Sequence, residues 1–291
     1  MNFNENLYYT VDNHRTGESV RHSISVIKFP GGETNVDINS GSVSYQHLEA
    51  NSATEVLLHA RLKSGDDVMA MLLAKDAIER VYIHAKVSLF MPYIPYARQD
   101  RVCVAGEALS IKVFASLINS ADFHNVIVTD AHSPTAVALI NRCIAYDQFD
   151  VFAQIKQDWM NWTIVAPDMG AAKKCEDFAK RVGAEGVVYF NKARDLNTGK
   201  ILSIDLIGEK PVDKNLLILD DICDGGRTFV GMLPALQGNK RIDLAVTHGI
   251  FSAGVDVLTS AFDTVYTTNS WSTQLHKLDQ EVTGNLVVLK S

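Results

Sequence analysis

Short apolar runs of four to six residues recur along the chain, each closing on a small or acidic residue and each followed by a stretch with helical periodicity. Parallel α/β architecture requires this alternation, because a strand buried on both faces reads as a continuous apolar run while its crossover helix shows one apolar stripe. In the first half, Asp66 or Asp67 is placed to cap a helix running to Arg80, with Val68, Met71, Leu72 and Ile78 facing inward. KVSLFM (86–91) then reads as a buried strand, and a second helix over roughly 107–119 groups Val113, Phe114, Leu117 and Ile118 on one side. VIVTD (126–130) is the next strand, after which Ser133 can cap a helix whose first residue is Pro134, where a missing amide hydrogen costs nothing. In the second half TIVAPD (163–168), VVYF (187–190), LLILDD (216–221) and DLAVTHGIF (243–251) are predicted strands with helices between them. The pattern predicts an α/β fold of two related domains, each a mainly parallel sheet flanked by helices. The polar stretch near 145–160 marks the junction, and we divide the chain at 1–148 and 149–291.

Composition narrows the partners. The chain of 291 residues is 47% apolar and 21% charged, and its net charge of -7 gives no electrostatic footprint for nucleic acid or an anionic membrane. Small molecules or other protein chains are the expected partners. No window approaches the roughly 20 apolar residues of a spanning helix, and the polar start MNFNENLYYTVDNHRTGE lacks a signal-peptide core, so a cytoplasmic location is expected. Cys103, Cys143, Cys175 and Cys223 form no CxxC pair, which argues for reduced and mostly buried thiols.

The stretch LLILDDICDGGRTF (216–229) sets Asp220, Asp221 and Asp224 against a glycine turn. In an open parallel sheet ligands collect at the carboxyl ends of strands, which is where this loop falls if LLIL is central. Gly225 and Gly226 let backbone amides approach an anion, and a helix beginning near Thr228 presents its positive end to it. Ionised carboxylates only accept hydrogen bonds, so they suit sugar hydroxyls rather than a phosphate. A sugar phosphate satisfies both demands. The same residues also fit an acidic turn with Thr228 as a plain helix cap.

DDICDGGRT resembles the ribose-phosphate loop of phosphoribosyl pyrophosphate synthetases, relatives of type I phosphoribosyltransferases. FPGGE (29–33), PYARQDR (95–101), DAHSP (130–134), APDMG (166–170), NKARD (191–195), VTHGIFS (246–252) and TTNS (267–270) follow in family order at similar spacing, from about residue 25 to 270. The resemblance implies two type I phosphoribosyltransferase-like domains, the first binding ATP and the second binding ribose phosphate. It implies transfer of pyrophosphate from ATP to the anomeric hydroxyl of a ribose phosphate, with magnesium as cofactor. Phe29 and Glu33 would reach the adenine of ATP bound to a neighbouring copy, so a homo-oligomer, dimer or hexamer, is expected. Arg98, Gln99, Asp100, Arg101 and His132 would hold ATP, while His132 and Asp168 would serve magnesium. Lys192 and Arg194, on the family's mobile loop, would act with His132 in catalysis by stabilising charge. Asp220, Asp221, Asp224, Gly225, Gly226, Arg227 and Thr228 would cradle the acceptor. Without these motifs, His132 is simply the residue before a cap, Asp168 a turn residue, and Lys192 and Arg194 solvated loop cations.

Three departures from the family pattern change the expectation. Gly225 stands where a hydroxyl residue is usual, and Arg227 where a small one is, so a hydroxyl donor is exchanged for a guanidinium that can grip phosphate in two places. Gly31 replaces an acid or amide, and RVCVAGEALS (101–110) replaces an arginine-containing regulatory segment. The loop change raises ADP-ribose as a rival acceptor, as in the phage and bacterial enzymes that make ADP-ribose pyrophosphate for NAD resynthesis. A non-catalytic regulatory homologue should have lost the charged residues retained here. A phosphoribosyltransferase would need neither PYARQDR nor the Lys-x-Arg pair.

Overall fold

In the computed structural model the described residues are 3–13, 18–38, 55–155, 157–194, 201–272 and 285–291. The chain divides into two units, Met1–Tyr146 with Trp271–Thr273, and Asp147–Ser270 with Gln274–Ser291. Among the described residues no helix is long and apolar enough to cross a membrane.

The first unit runs β1 (Phe3–Asn13), β2 (Glu18–Lys28), β3 (Thr34–Asp37), β4 (Glu55–Ala60), α1 (Gly65–Val81), β5 (Lys86–Phe90), α2 (Ser110–Ser120), β6 (Val126–Thr129), α3 (Pro134–Leu139) and β7 (Cys143–Tyr146). Its seven strands lie in the order β3-β2-β1-β4-β5-β6-β7. Parallel pairing holds from β4 to β7, whereas β1, β2 and β3 form an antiparallel meander joined to β4 antiparallel. The sequence reading missed this meander because its alternation is half polar. Leu7, Tyr9 and Ile24 are buried, while Arg21 is exposed with its guanidinium 3.8 Å above the Tyr8 ring.

Two expectations for the helices are corrected. The α1 cap is Ser64, whose hydroxyl accepts the Asp67 amide at 3.2 Å, rather than Asp66 or Asp67. Those acids occupy the first turn, where the helix dipole favours them. Helix α2 begins at Ser110 and buries Ile111, Phe114, Ala115 and Ile118, leaving Val113 and Leu117 exposed. The true stripe follows the i, i+3, i+4, i+7 spacing; each large apolar residue in it contributes about 1.5–3 kcal/mol on burial. Ser133 and Pro134 start α3 as expected.

The second unit runs α4 (Gln148–Phe152), β8 (Trp162–Ala166), α5 (Ala172–Val182), β9 (Gly186–Arg194), β10 (Ile201–Ile207), β11 (Asn215–Cys223), α6 (Arg227–Leu236), β12 (Arg241–Gly249), α7 (Asp256–Thr259), β13 (Val265–Thr268) and β14 (Leu286–Leu289). The order is β10-β9-β8-β11-β12-β13-β14, parallel except where β10 pairs with β9. Helices cover both faces. Leu216 and Ile218 of β11 pack in a cluster with Phe229 and Met232 of α6, whereas Leu217 and Leu219 pack in another with Cys175 and Phe178 of α5. This two-residue alternation makes LLIL read as an unbroken apolar run.

Among the thiols the clear departure from expectation is Cys103. Cys175 and Cys223 are buried, Cys143 is half-buried and Cys103 is exposed, all four as free thiols.

Candidate active site

In the second unit three neighbouring strands bring the predicted residues together at their carboxyl ends. Ala166 of β8 is in register with Tyr189 of β9, and Val165 with Ile218 of β11. Asp168, just past β8, therefore has Lys192 on one side and Asp220 on the other. Lys192 donates to Asp168 Oδ2 at 2.5 Å. The other carboxylate oxygen, Oδ1, accepts the amides of Gly170 and Ala171 at 3.0 and 3.2 Å, which fixes Asp168 at the entrance to α5. Lys192 and Arg194 stand on strand β9, not on a loop, since the VVYF strand continues four residues further to pair with β10. Asp195, the last residue of NKARD, lies outside the described residues.

Strand β11 continues through Cys223, so Asp220 and Asp221 belong to the strand rather than to the turn. Asp221 follows Leu219 on the face covered by α5, where it is buried and paired with Lys174 at 3.2 Å. Asp220 follows Ile218 on the α6 face. The adjacent acids thus do not share a face, which simple adjacency in sequence could not reveal. Burial, and then the Asp221 and Asp168 charges, push the Asp220 carboxyl well above the usual carboxylate range; the Asp221 amide and Lys192 offset this only in part.

The turn itself is Asp224, Gly225 and Gly226, and α6 starts at Arg227, next to Thr228 as expected. Asp224 is clamped by Ser252, whose hydroxyl donates to Oδ1 at 2.5 Å and whose amide donates to the backbone carbonyl at 3.1 Å. Gly226 has φ +76, and an added Cβ would lie 2.8 Å from Leu258 Cδ2. Gly226→Ala should therefore cost about 1–3 kcal/mol through backbone strain alone, read as a lower denaturant midpoint. Among the described residues no side chain caps the α6 amides; Arg227 is exposed and Thr228 is half-buried. Beneath the turn, burial and then the Asp220 and Asp224 charges push the Cys223 thiol up to about 12, so it remains a neutral packing group. The motifs VTHGIFS and TTNS support the clamp from behind. His248 Nδ1 and Ser270 Oγ lie 2.8 Å apart, and the Thr268 hydroxyl donates to the Thr247 carbonyl at 2.6 Å.

The first unit carries the remaining candidates. FPGGE is the turn between β2 and β3, closed by Phe29 N–H to the Glu33 carbonyl at 2.8 Å, with both side chains exposed. After β5, Tyr96 turns the chain with φ +63, and Arg98 and Gln99 face solvent. The Ser133 hydroxyl donates to Asp100 Oδ2 at 2.7 Å, tying PYARQDR to the DAHSP turn after β6. That hydrogen bond foremost, with Arg101 adding its charge, holds the Asp100 carboxyl below its usual range. Arg101 pairs with Asp100 Oδ1 at 3.3 Å, and His132, the residue before Ser133, is exposed.

Among the described residues no group of three or more His, Cys, Asp or Glu is arranged to hold a metal, and His132 and Asp168 belong to different units. Asp168 offers the hard oxygen donor that magnesium takes, and magnesium completes its shell with water and substrate phosphates, so one protein carboxylate fits. The His132 imidazole is a poorer magnesium ligand and better suited to donating a hydrogen bond to phosphate.

Sequence reasoning missed Lys174. Its signal was the pair Lys173 and Lys174 in the first turn of α5, which carries no acid, although the dipole there disfavours cations.

In both units the mainly parallel α/β sheet ends in charged and glycine-bearing turns. A family model for the N-terminal domain of ribose phosphate pyrophosphokinase matches residues 2–121. The ribose-phosphate pyrophosphokinase of Thermosipho africanus is 30% identical over 218 residues, covering 71% of this chain and 67% of that protein. That of Pyrococcus abyssi is 27% identical over 279 residues, 91% of each chain. The crystal structure of phosphoribosylpyrophosphate synthetase from Mycobacterium smegmatis shares the fold, with a TM-score of 0.71 at 22% identity, covering 92% of this chain and 86% of that one. The chain belongs to the ribose-phosphate pyrophosphokinase family, and is a transferase.

Proposed function

We propose that this enzyme transfers the β,γ-pyrophosphoryl group of ATP to the anomeric hydroxyl of ribose 5-phosphate, giving phosphoribosyl pyrophosphate and AMP. The observation that carries this reading is the meeting of Lys192, Asp168 and Asp220 at adjacent strand ends, in a chain whose relatives bear the name of that reaction. The anomeric oxygen attacks the β-phosphorus in line, the bond to the α,β-bridging oxygen breaks, and the protein contributes mainly position and positive charge. Lys192, joined by Arg194, stabilises the charge that builds on the transferring group. Asp220 and the 224–228 turn take the acceptor. ATP is held by Arg98, Gln99, Asp100, Arg101 and His132. Magnesium at Asp168, when bound, neutralises phosphate charge. Phe29 and Glu33, exposed on their hairpin turn, serve the adenine site of a second copy, which makes the enzyme a homo-oligomer. Purified protein with ATP, magnesium and ribose 5-phosphate should release AMP in step with acceptor consumed; no AMP release with either this acceptor or ADP-ribose removes the reading.

One observation favours ADP-ribose as a second acceptor. Gly226 is required by its backbone, but Gly225 is not: its φ is ordinary, and an added Cβ would meet only Ser252 Oγ at 3.6 Å and Ala253 at 3.9 Å. A side chain there would fit in ordinary contact with Ser252 and Ala253, so its absence trims the turn beside an exposed Arg227. Gly225→Ser should keep the fold and shift the ratio of kcat/KM toward ribose 5-phosphate. An unchanged ratio would show that this position does not select the acceptor.

A further inference from the structure

We infer that Lys174 is a positioning residue for the transfer: through its ion pair with Asp221 it braces the start of α5 against the end of β11. This sets the spacing between Asp168 and Asp220. The inference rests on the site reading above. Asp168 leads into α5, and its Oδ1 accepts amides of the two residues that precede that helix. Asp220 stands on β11. A link between that helix and that strand therefore controls how closely two carboxylates approach one another.

The link has two parts on one face of β11. Cys175 Sγ donates to the Leu219 carbonyl at 3.3 Å, and the neighbouring Lys174 Nζ lies 3.2 Å from Asp221 Oδ2. Lys174 retains 34% side-chain exposure and Asp221 only 10%, so solvent screens the pair weakly on its acidic side. Lys173, the adjacent lysine, is exposed. A cation in the first turn opposes the helix dipole, and the α5 first turn holds no acid to offset it. The partner comes instead from a strand 47 positions away.

The test compares Lys174→Ala, Lys174→Arg, Asp221→Asn and the Lys174→Ala/Asp221→Asn double variant as full-length protein. Each is assayed with ATP, magnesium and both acceptors, alongside melting curves. Misplacement of reacting groups by less than an ångström should lower kcat/KM for the acceptor about 10- to 100-fold in Lys174→Ala. The ATP KM should stay unchanged, Lys174→Arg should recover most of the loss, and the double variant should be no worse than the worse single. The double variant also removes the unpaired charge that could unfold Lys174→Ala. Wild-type turnover with unaltered kinetics in Lys174→Ala, or additive losses in the double variant, would overturn the brace and leave the function standing. A wild type that turns over neither acceptor would overturn both.

Discussion

Replacing Lys192 with Ala should lower kcat by about 10²–10³-fold, the loss typical when one donor to a charge-developing centre is removed, with much smaller changes in either substrate KM. The size follows from where the charge develops. Pyrophosphoryl transfer spreads negative charge over the moving group only at the top of the barrier, so a cation aimed there acts on kcat rather than on ground-state binding. Lys192 is well placed, being only 12% exposed at its side chain and held at 2.5 Å from Asp168. The lysine's charge is matched by that carboxylate, and in the proposed reaction the phosphates would compete with Asp168 for it. Asp168 keeps its bonds to the Gly170 and Ala171 amides when Lys192 is lost, so the variant should fold normally. Lys192→Arg should retain part of the rate, since charge persists while the planar fork demands a different geometry. A kcat within threefold of wild type in Lys192→Ala would remove Lys192 from the reaction.

Strands β8, β9, β11 and β12 were legible in sequence because burial on both faces leaves no polar gap in runs such as LLIL, and the candidate site was placed at their ends because such strands set their next residues at the ligand edge. The antiparallel meander was not legible. Its buried face is not marked by residue type, since Tyr9 is buried between Tyr8 and Thr10, and its pairing partners lie far apart, with Leu7 opposite Ala60. Local spacing cannot carry that information. The same limit hid the roles of Asp220 and Asp221. Neighbours in sequence point to opposite faces of a strand, so what reads as one acidic pair is one carboxylate on the α6 face of β11 and one on the α5 face, paired with a helix lysine. Lys192 and Arg194 were read by resemblance as loop residues. Their position on β9 became visible only once Ile201 and Arg194 were seen to pair across the hairpin.

Asp220→Asn should make the protein more stable at neutral pH while lowering kcat/KM for the acceptor roughly 10- to 100-fold, the range that corresponds to losing a charged hydrogen bond worth about 1.5–3 kcal/mol. The two effects have one origin. Asp220 sits on β11 beside Asp221 and near Asp168, and burial together with those charges raises its pKa in the folded protein. A carboxyl whose folded pKa lies above the unfolded value, about 3.9, binds more protons in the native state than in the unfolded chain. Its contribution to stability is thus fully present below pH ~4 and is lost as the pH rises through the raised folded value. Asparagine has the same shape and cannot ionise, so this loss disappears. Melting temperatures measured from pH 4 to 8 should diverge as the pH rises, with the variant above the wild type by a growing margin, each 1 kcal/mol amounting to about 2–4 °C in a unit of this size. The acceptor pays the other side of the exchange, because the oxygen that would receive a sugar hydroxyl's proton in the ionised enzyme becomes a weaker amide carbonyl. Were the variant instead less stable at every pH, Asp220 would be an ionised and fully satisfied carboxylate, and a group already satisfied by the protein has no capacity left to hold a sugar.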